Sequence, residues 1–178
     1  MRPSFTPRCH RALAAAVGAI LSLKGAYADT HIVGKVVGIQ DGDTITLLDM
    51  DLTQHRVRLA GIDAPEKGQA FGHVSRVHLS TLCFGKLASA NCPKVDRYGR
   101  RVCTVIVGGV DINLTQVETG FAWHFKRFAS EQPEQERAAY AKSEDVARNA
   151  KVGLWQDRDP VPPWEWRSLR RMLPVQRR

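Results

Sequence analysis

Apolar residues alternate with polar ones through much of the first half of the chain. His31 to Ile39, carrying Ile32, Val33, Val36 and Val37, reads as a strand. Ile45 and Leu47, then Val57 and Leu59, form two further alternating runs broken by the polar stretch DMDLTQ, the pattern of an antiparallel hairpin. After Glu66 the period changes: Val74, Val77, His78 and Leu82 recur at helical spacing, predicting a helix from Gly72 to Phe84 that stops near Gly85. Lys86 to Cys92 and Arg101 to Val107 are two more strand-like runs around a turn at Asp96 to Gly99. Asp111 is placed to cap a short helix ending at Gly120, and a longer helix is expected from Pro133 to Ala150, before Gly153. Five strands with helices added late predict an α+β, mainly β fold, a small barrel capped by three helices. No internal repeat is visible.

The two ends of the chain differ from this body. Arg2, Arg8 and Arg11, an apolar run from Ala12 to Leu23 and the small-x-small triplet Ala26-Tyr27-Ala28 predict a signal peptide over residues 1–28. The run is too short to span a bilayer comfortably, so no stable membrane insertion is expected once the leader is cut. Cys9 precedes the apolar run, which argues against a lipid-modified cysteine. The expected location is outside the cytoplasm, periplasmic or extracellular. Residues 158–178 form a Pro-, Trp- and Arg-rich tail. Pro160, Pro162 and Pro163 predict no helix there, while Val161 to Trp166 is apolar enough to pack back on the body. Arg167, Arg170, Arg171, Arg177 and Arg178 are either phosphate contacts or a solubilising tail.

Charge changes little in this picture. The net +8 of the chain comes from the leader, with Arg2, Arg8, Arg11 and Lys24, and from the tail, so residues 29–157 are close to neutral. Bulk basicity is therefore weak support for nucleic-acid binding. Beyond the leader stand Cys83, Cys92 and Cys103. Cys92 and Cys103 could face each other across a hairpin; a disulfide between them is one reading and three buried thiols the other. The histidines, including His73 and His78, show no paired ligand pattern.

The chemistry concentrates between Asp41 and Glu66. A hairpin would bring Asp41 and Asp43 close to Asp63 and Glu66, and unpaired buried carboxylates are expensive. A hard cation with cationic side chains, Arg58 among them, resolves that conflict. Taken singly, these residues also fit a turn, a surface ion pair or a loop cap.

Together, Asp41 to Thr44 (DGDT), Arg58 to Glu66 (RLAGIDAPE), Asp96 to Arg100 (DRYGR) and Gly153 to Trp155 (GLW) resemble, in order, the motifs of the staphylococcal nuclease (thermonuclease) family. The likeness covers roughly residues 32–156 and implies a five-stranded OB-fold barrel over residues 29–157. It also implies a calcium ion held by Asp43, Asp63 and the backbone carbonyl of Ala64, with Asp41 acting through water. Ala64 stands where family members often have threonine, which removes a hydroxyl but not a carbonyl ligand. Glu66 would orient or deprotonate the attacking water, and Arg58 and Arg100 would hold the scissile phosphate. These residue types suit phosphodiester hydrolysis. A planar guanidinium engages two phosphate oxygens, calcium accepts oxygen ligands in flexible number, and a glutamate among cations can take a proton from water.

By the same likeness Arg97 and Tyr98 would contact the nucleotide. Trp123 and Phe125, where the family has two tyrosines, alternate and could present one aromatic face for a base, with core packing as the other reading. Lys126 and Arg127 would add phosphate charge, and Glu144 and Trp155 would be structural. The expected activity is calcium-dependent, sugar-nonspecific endonucleolytic hydrolysis of DNA and RNA to 3′-phosphate ends by a monomer, with unpaired or fraying regions preferred. The alternatives are a nucleic-acid-binding OB-fold module without catalysis, and an envelope-associated interaction protein acting through its tail.

Overall fold

The computed structural model describes residues 31–172. The leader expected over residues 1–28, and Arg177 and Arg178 of the tail, lie outside the described residues.

The strands are β1 (His31–Ile39), β2 (Thr44–Asp49), β3 (Gln54–Leu59), β4 (Ile62–Asp63), β5 (Leu87–Val95), β6 (Arg101–Val107), β7 (Val110–Asp111) and β8 (Trp123–His124). The helices are α1 (Gly72–Cys83), α2 (Ile112–Glu118), α3 (Glu134–Asn149) and α4 (Pro163–Met172), with 3-10 turns at Lys126–Glu131 and Gly153–Gln156. One antiparallel sheet runs β3-β2-β1-β5-β6-β7, and parallel pairing of β3 with β6 closes it into a five-stranded barrel. The barrel predicted from the alternating runs is therefore present. The barrel core is built from inward-facing apolar residues of the strands: Val36, Ile45, Leu47, Val57 and Leu59 have no exposed surface. Burial on that scale is worth about 1.5–3 kcal/mol per side chain.

Helix boundaries follow local chemistry. The Asp111 carboxylate accepts from the backbone N–H groups of Asn113 (2.9 Å) and Leu114 (3.0 Å), the capping expected of it. α3 starts directly after Pro133 and carries Glu134 and Glu136 in its first turn, where the helix dipole favours acids.

The tail departs from expectation. The sequence pattern predicts three helices, and α4 is a fourth. Pro163 is the first helical residue, where its missing N–H is one the helix leaves unpaired anyway, so it opens the helix instead of forbidding it. The tail does fold back on the body. Gln69 donates through Nε2 to the Val161 carbonyl at 2.6 Å. Trp164 packs on a second apolar cluster of Trp123, Ala147, Leu154 and Trp155, beside the main core of the barrel. No described helix is long and apolar enough to cross a membrane.

Cys92 and Cys103 are disulfide-bonded, joining β5 to β6, and Cys83 is a buried free thiol. The bridge spans the hairpin whose turn carries Asp96 to Arg100.

Candidate active site

The hairpin of β2 and β3 sets the first half of the site. Thr44 pairs with Arg58 across it, and Leu59 N–H donates to the Asp43 carbonyl at 2.8 Å. This register places Arg58 beside Asp43. The preceding turn is tied down from behind, where buried Gln116 on α2 donates to the Gly42 carbonyl at 2.8 Å. Asp63, on β4, is held opposite Trp123 by the β4–β8 pair.

The carboxylates converge as the hairpin pattern implies. Arg58 Nη2 donates to Asp43 Oδ2 at 3.3 Å and to Asp63 Oδ1 at 3.0 Å, so one guanidinium nitrogen bridges both. Both acids are buried, with 6% and 1% of their surface exposed. Asp43 also accepts from Thr44 Oγ1 at 2.8 Å and from the Ala64 N–H at 3.2 Å. Burial opposes its ionisation, but Arg58 and these hydrogen bonds outweigh that and hold it below the usual carboxylate range. Asp63 goes the other way. Burial, with repulsion from Asp43, raises it despite its arginine partners. Asp41 accepts from the Asp43 N–H at 3.0 Å, and burial together with the Asp43 charge pushes its carboxyl up to about 7.

Two buried acids sharing one arginine form an oxygen-rich, cation-seeking spot of the kind that suits calcium. Among the described residues no three His, Cys, Asp or Glu side chains form a metal-holding group. A calcium ion here would take Asp43 and Asp63, with carbonyl, water or substrate oxygens completing its shell. Calcium accepts such ligands readily, so the donor chemistry fits.

Glu66 sits where α1 begins. Its N–H donates to Gln69 Oε1 at 3.1 Å. A Cβ on Gly72 would come within 1.9 Å of the Glu66 carbonyl oxygen, so only glycine lets the helix start this close. The Glu66 side chain remains 38% exposed and within reach of water.

Arg100 comes from the β5–β6 turn, and the turn is built to hold it. Asp96 Oδ1 accepts from the backbone N–H groups of Tyr98 (2.9 Å) and Arg100 (3.0 Å), while Asp96 Oδ2 accepts from Arg100 Nε at 2.8 Å. Gly99 supplies the left-handed conformation, φ 75°, that closes it. Tyr98 lies under both arginines of the turn, with the Arg97 and Arg100 guanidinium carbons 4.8 Å and 5.4 Å from its ring centre.

A single cleft of about 1310 Å³ borders Asp41, Asp43, Arg58, Asp63, Ala64, Glu66, Arg97, Tyr98, Arg100 and Phe125. Trp123 does not border it. The aromatic face expected of Trp123 and Phe125 exists, but Trp164 covers it: its ring centre lies 5.7 Å from that of Trp123 and 5.4 Å from that of Phe125, stacked on the latter. Trp123 also packs edge-on against Trp155 at 4.4 Å. Trp123 thus packs in the second apolar cluster, the arrangement of the core-packing alternative. Phe125 keeps an edge on the cleft. Lys126 is ion-paired with buried Glu144, which also accepts from the His124 N–H at 3.0 Å, while Arg127 borders the cleft.

Three contributors are missed or left undecided by sequence reasoning. Thr44 and Asp96 act as hydrogen-bonding supports, and DGDT and DRYGR already contain them. The third is Arg167 of α4. Its Nη2 donates to Asp63 Oδ2 at 2.6 Å, and its Nη1 donates to Asp63 Oδ1 at 3.2 Å and to Glu66 Oε1 at 2.7 Å. Asp63 and Glu66 raise Arg167 above its ordinary value although burial opposes this.

Comparison with known proteins agrees with this arrangement. Residues 56–157 match the sequence model of the staphylococcal nuclease homologues. The chain is 41% identical over 166 residues to a micrococcal nuclease of Shigella flexneri, covering 88% of this chain and 91% of the relative. It is 38% identical over 133 residues to an endonuclease of Haemophilus influenzae, covering 75% and 71%, and 38% identical over 141 residues to an endonuclease of Escherichia coli O157:H7, covering 79% and 86%. A closed five-stranded barrel, the cleft on its surface and these matches lead to one assignment: the chain belongs to the staphylococcal nuclease family.

Proposed function

We propose that this chain, a phosphodiester-hydrolysing nuclease, works as an exported, calcium-dependent endonuclease that cuts both DNA and RNA and leaves 3′-phosphate ends. The observation that carries the reading is the sharing of Arg58 by buried Asp43 and Asp63, in a cleft that also holds Glu66 and Arg100. Export is supported by the Cys92–Cys103 disulfide, a bond that persists in oxidising compartments.

Hydrolysis adds negative charge to an already anionic phosphorus centre, so the groups around it must be cationic when that charge develops. Arg58, buried and fixed by two carboxylates, presents its guanidinium with little conformational freedom left to lose. Arg100, braced by Asp96 and Tyr98, engages a second phosphate oxygen. Glu66, open to solvent, accepts the proton of the attacking water. Asp43 and Asp63 would hold a calcium ion, which would supply positive charge to offset the negative charge developing at the phosphorus centre. Arg97, Tyr98 and Phe125 contact the nucleotides on either side. Contacts to phosphates and ring faces read no base edges, so specificity is broad, and strands free to splay are preferred. The protein acts as a monomer.

The test is digestion of plasmid and of RNA by the purified protein with calcium, with chelator, and with Glu66→Gln or Arg100→Gly. Loss of cutting is expected in each of the last three conditions. Cutting that persists in chelator and survives both substitutions refutes the mechanism, and binding without cutting identifies a binding module instead.

A further inference from the structure

Arg167 lies beyond residues 56–157, the stretch that matches the family, yet its guanidinium contacts two of the acids the reaction needs. Among the described residues it is also the one side chain bonded to the Glu66 carboxylate; the bond to Gln69 is made by the Glu66 backbone N–H. The cleft stays open with α4 docked, and Trp164, Arg167 and Arg171 of that helix border it. These residues stand at i, i+3 and i+7, on one face of α4, and Arg171 Nε donates back to the Arg167 carbonyl at 3.3 Å. A helix that merely filled the site would leave no such space beside it.

We propose that Arg167 is a third functional arginine of the nuclease: it positions the Glu66 carboxylate and binds a phosphate of the strand being cut. The proposal rests on the nuclease reading above. Asp63 Oδ1 accepts from Arg58 and Arg167, and Oδ2 accepts from Arg167, so a cation that takes Oδ2 would compete with Arg167 for it. The displaced guanidinium keeps Glu66 through Nη1 and has its second nitrogen free beside the attack site. A phosphate oxygen is the ligand whose charge and geometry suit that nitrogen. Arg171, one turn further along the same face, is placed for the next phosphate.

The experiment compares Arg167→Gln with Arg170→Gln, which removes the same charge from the same helix at a residue that does not border the cleft. The first readout is the affinity for a fluorescein-labelled, cleavage-resistant phosphorothioate single-stranded oligonucleotide at saturating calcium, measured by anisotropy across a salt series. One lost phosphate contact lowers the slope of log affinity against log salt by about 0.7. That decrease is expected for Arg167→Gln and not for Arg170→Gln. The second readout is turnover at saturating calcium, where Arg167→Gln is expected to lose roughly 10- to 100-fold in kcat/KM. Arg167→Lys should recover the salt slope but not kcat, because an ammonium cannot fork between Glu66 and a phosphate. Equal slopes for wild type and Arg167→Gln, with turnover unchanged or faster, overturn the proposal and make α4 a plug. A wild-type protein that binds but does not cut refutes the nuclease reading instead, and the slope still reports whether Arg167 meets a phosphate.

Discussion

Reduction of the Cys92–Cys103 bridge should destabilise the protein while leaving the chemistry nearly intact. The two cysteines are 11 residues apart, and closing a loop of that length removes chain entropy from the unfolded state worth about 3 kcal/mol at 25 °C. For a folded unit of this size each kcal/mol shifts the melting temperature by roughly 2–4 °C, so reduction should lower it by about 6–12 °C. Both cysteines are buried, 3% and 0% exposed, so reductant must be applied to the unfolded chain and kept present during refolding. Reduction deletes no atoms from the core, which makes it a cleaner perturbation than substitution.

The bridge spans the arms of the hairpin that delivers Arg100, and that is why activity is the informative second measurement. The turn has its own supports: Asp96 N–H donates to the Arg100 carbonyl at 2.8 Å, Gly99 N–H to the Asp96 carbonyl at 3.0 Å, and the Asp96 carboxylate adds three more bonds. These persist without the disulfide. At 25 °C the reduced, folded protein should keep kcat/KM to within about threefold, since hydrogen bonds already fix the geometry that positioning requires. Matched thermal scans and rate measurements of the two forms decide the matter. An unchanged melting temperature refutes the loop-entropy account. A rate loss beyond tenfold in folded reduced protein refutes the claim that the turn holds Arg100 unaided.

Three other outcomes are expected. Gly72→Ala forces a methyl against the Glu66 carbonyl, 1.9 Å away, so kcat should fall by about tenfold or more with KM little changed; wild-type kcat in a folded variant contradicts that account. Glu144→Ala strips the buried acceptor from the His124 N–H, while Lys126, 61% exposed, turns to water, and a loss of roughly 1–3 kcal/mol in denaturant unfolding should follow, whereas no loss would show that the carboxylate is dispensable. Burial pushes the Cys83 thiol up to about 12, so iodoacetamide should label it slowly at pH 9 in the native protein and rapidly once unfolded. Because the folded value lies above the unfolded one, Cys83 favours folding fully below the unfolded value, and that contribution is lost as pH rises towards the folded value.

The barrel and the meeting of Asp43, Arg58 and Asp63 are legible in the sequence because they depend on local period. Ile45, Leu47, Val57 and Leu59 announce a hairpin, and a hairpin's register necessarily places Arg58 beside Asp43. Asp111, Pro133 and Gly120 punctuate helices through bonds made within a few residues. The features that are not legible depend on contacts distant in sequence. Trp123 and Phe125 do alternate on one face, but nothing near them says that Trp164, about 40 residues on, will lie over it. The prolines before α4 conceal a helix when they are weighed as breakers and not by position. Read by position, Pro163 at the first helical residue, Glu165 in the first turn and Arg170 and Arg171 in the last are a sound helix signature.

The charge of the tail changes meaning once α4 is in place. Counted over the chain, its arginines are a surplus that any solubilising segment would carry. In the structure one of them meets a deficit that the barrel does not fill, since Asp43 and Asp63 share a single Arg58 and the Glu66 carboxylate takes its bond, among the described residues, from α4. Arg167 and a divalent cation would compete for the same Asp63 oxygen, so Arg167→Gln is expected to bind calcium more tightly than wild type, which a calcium titration reads. On the proposed reading, α4, which lies outside the family-matched residues, would thus set how readily the site takes up the ion.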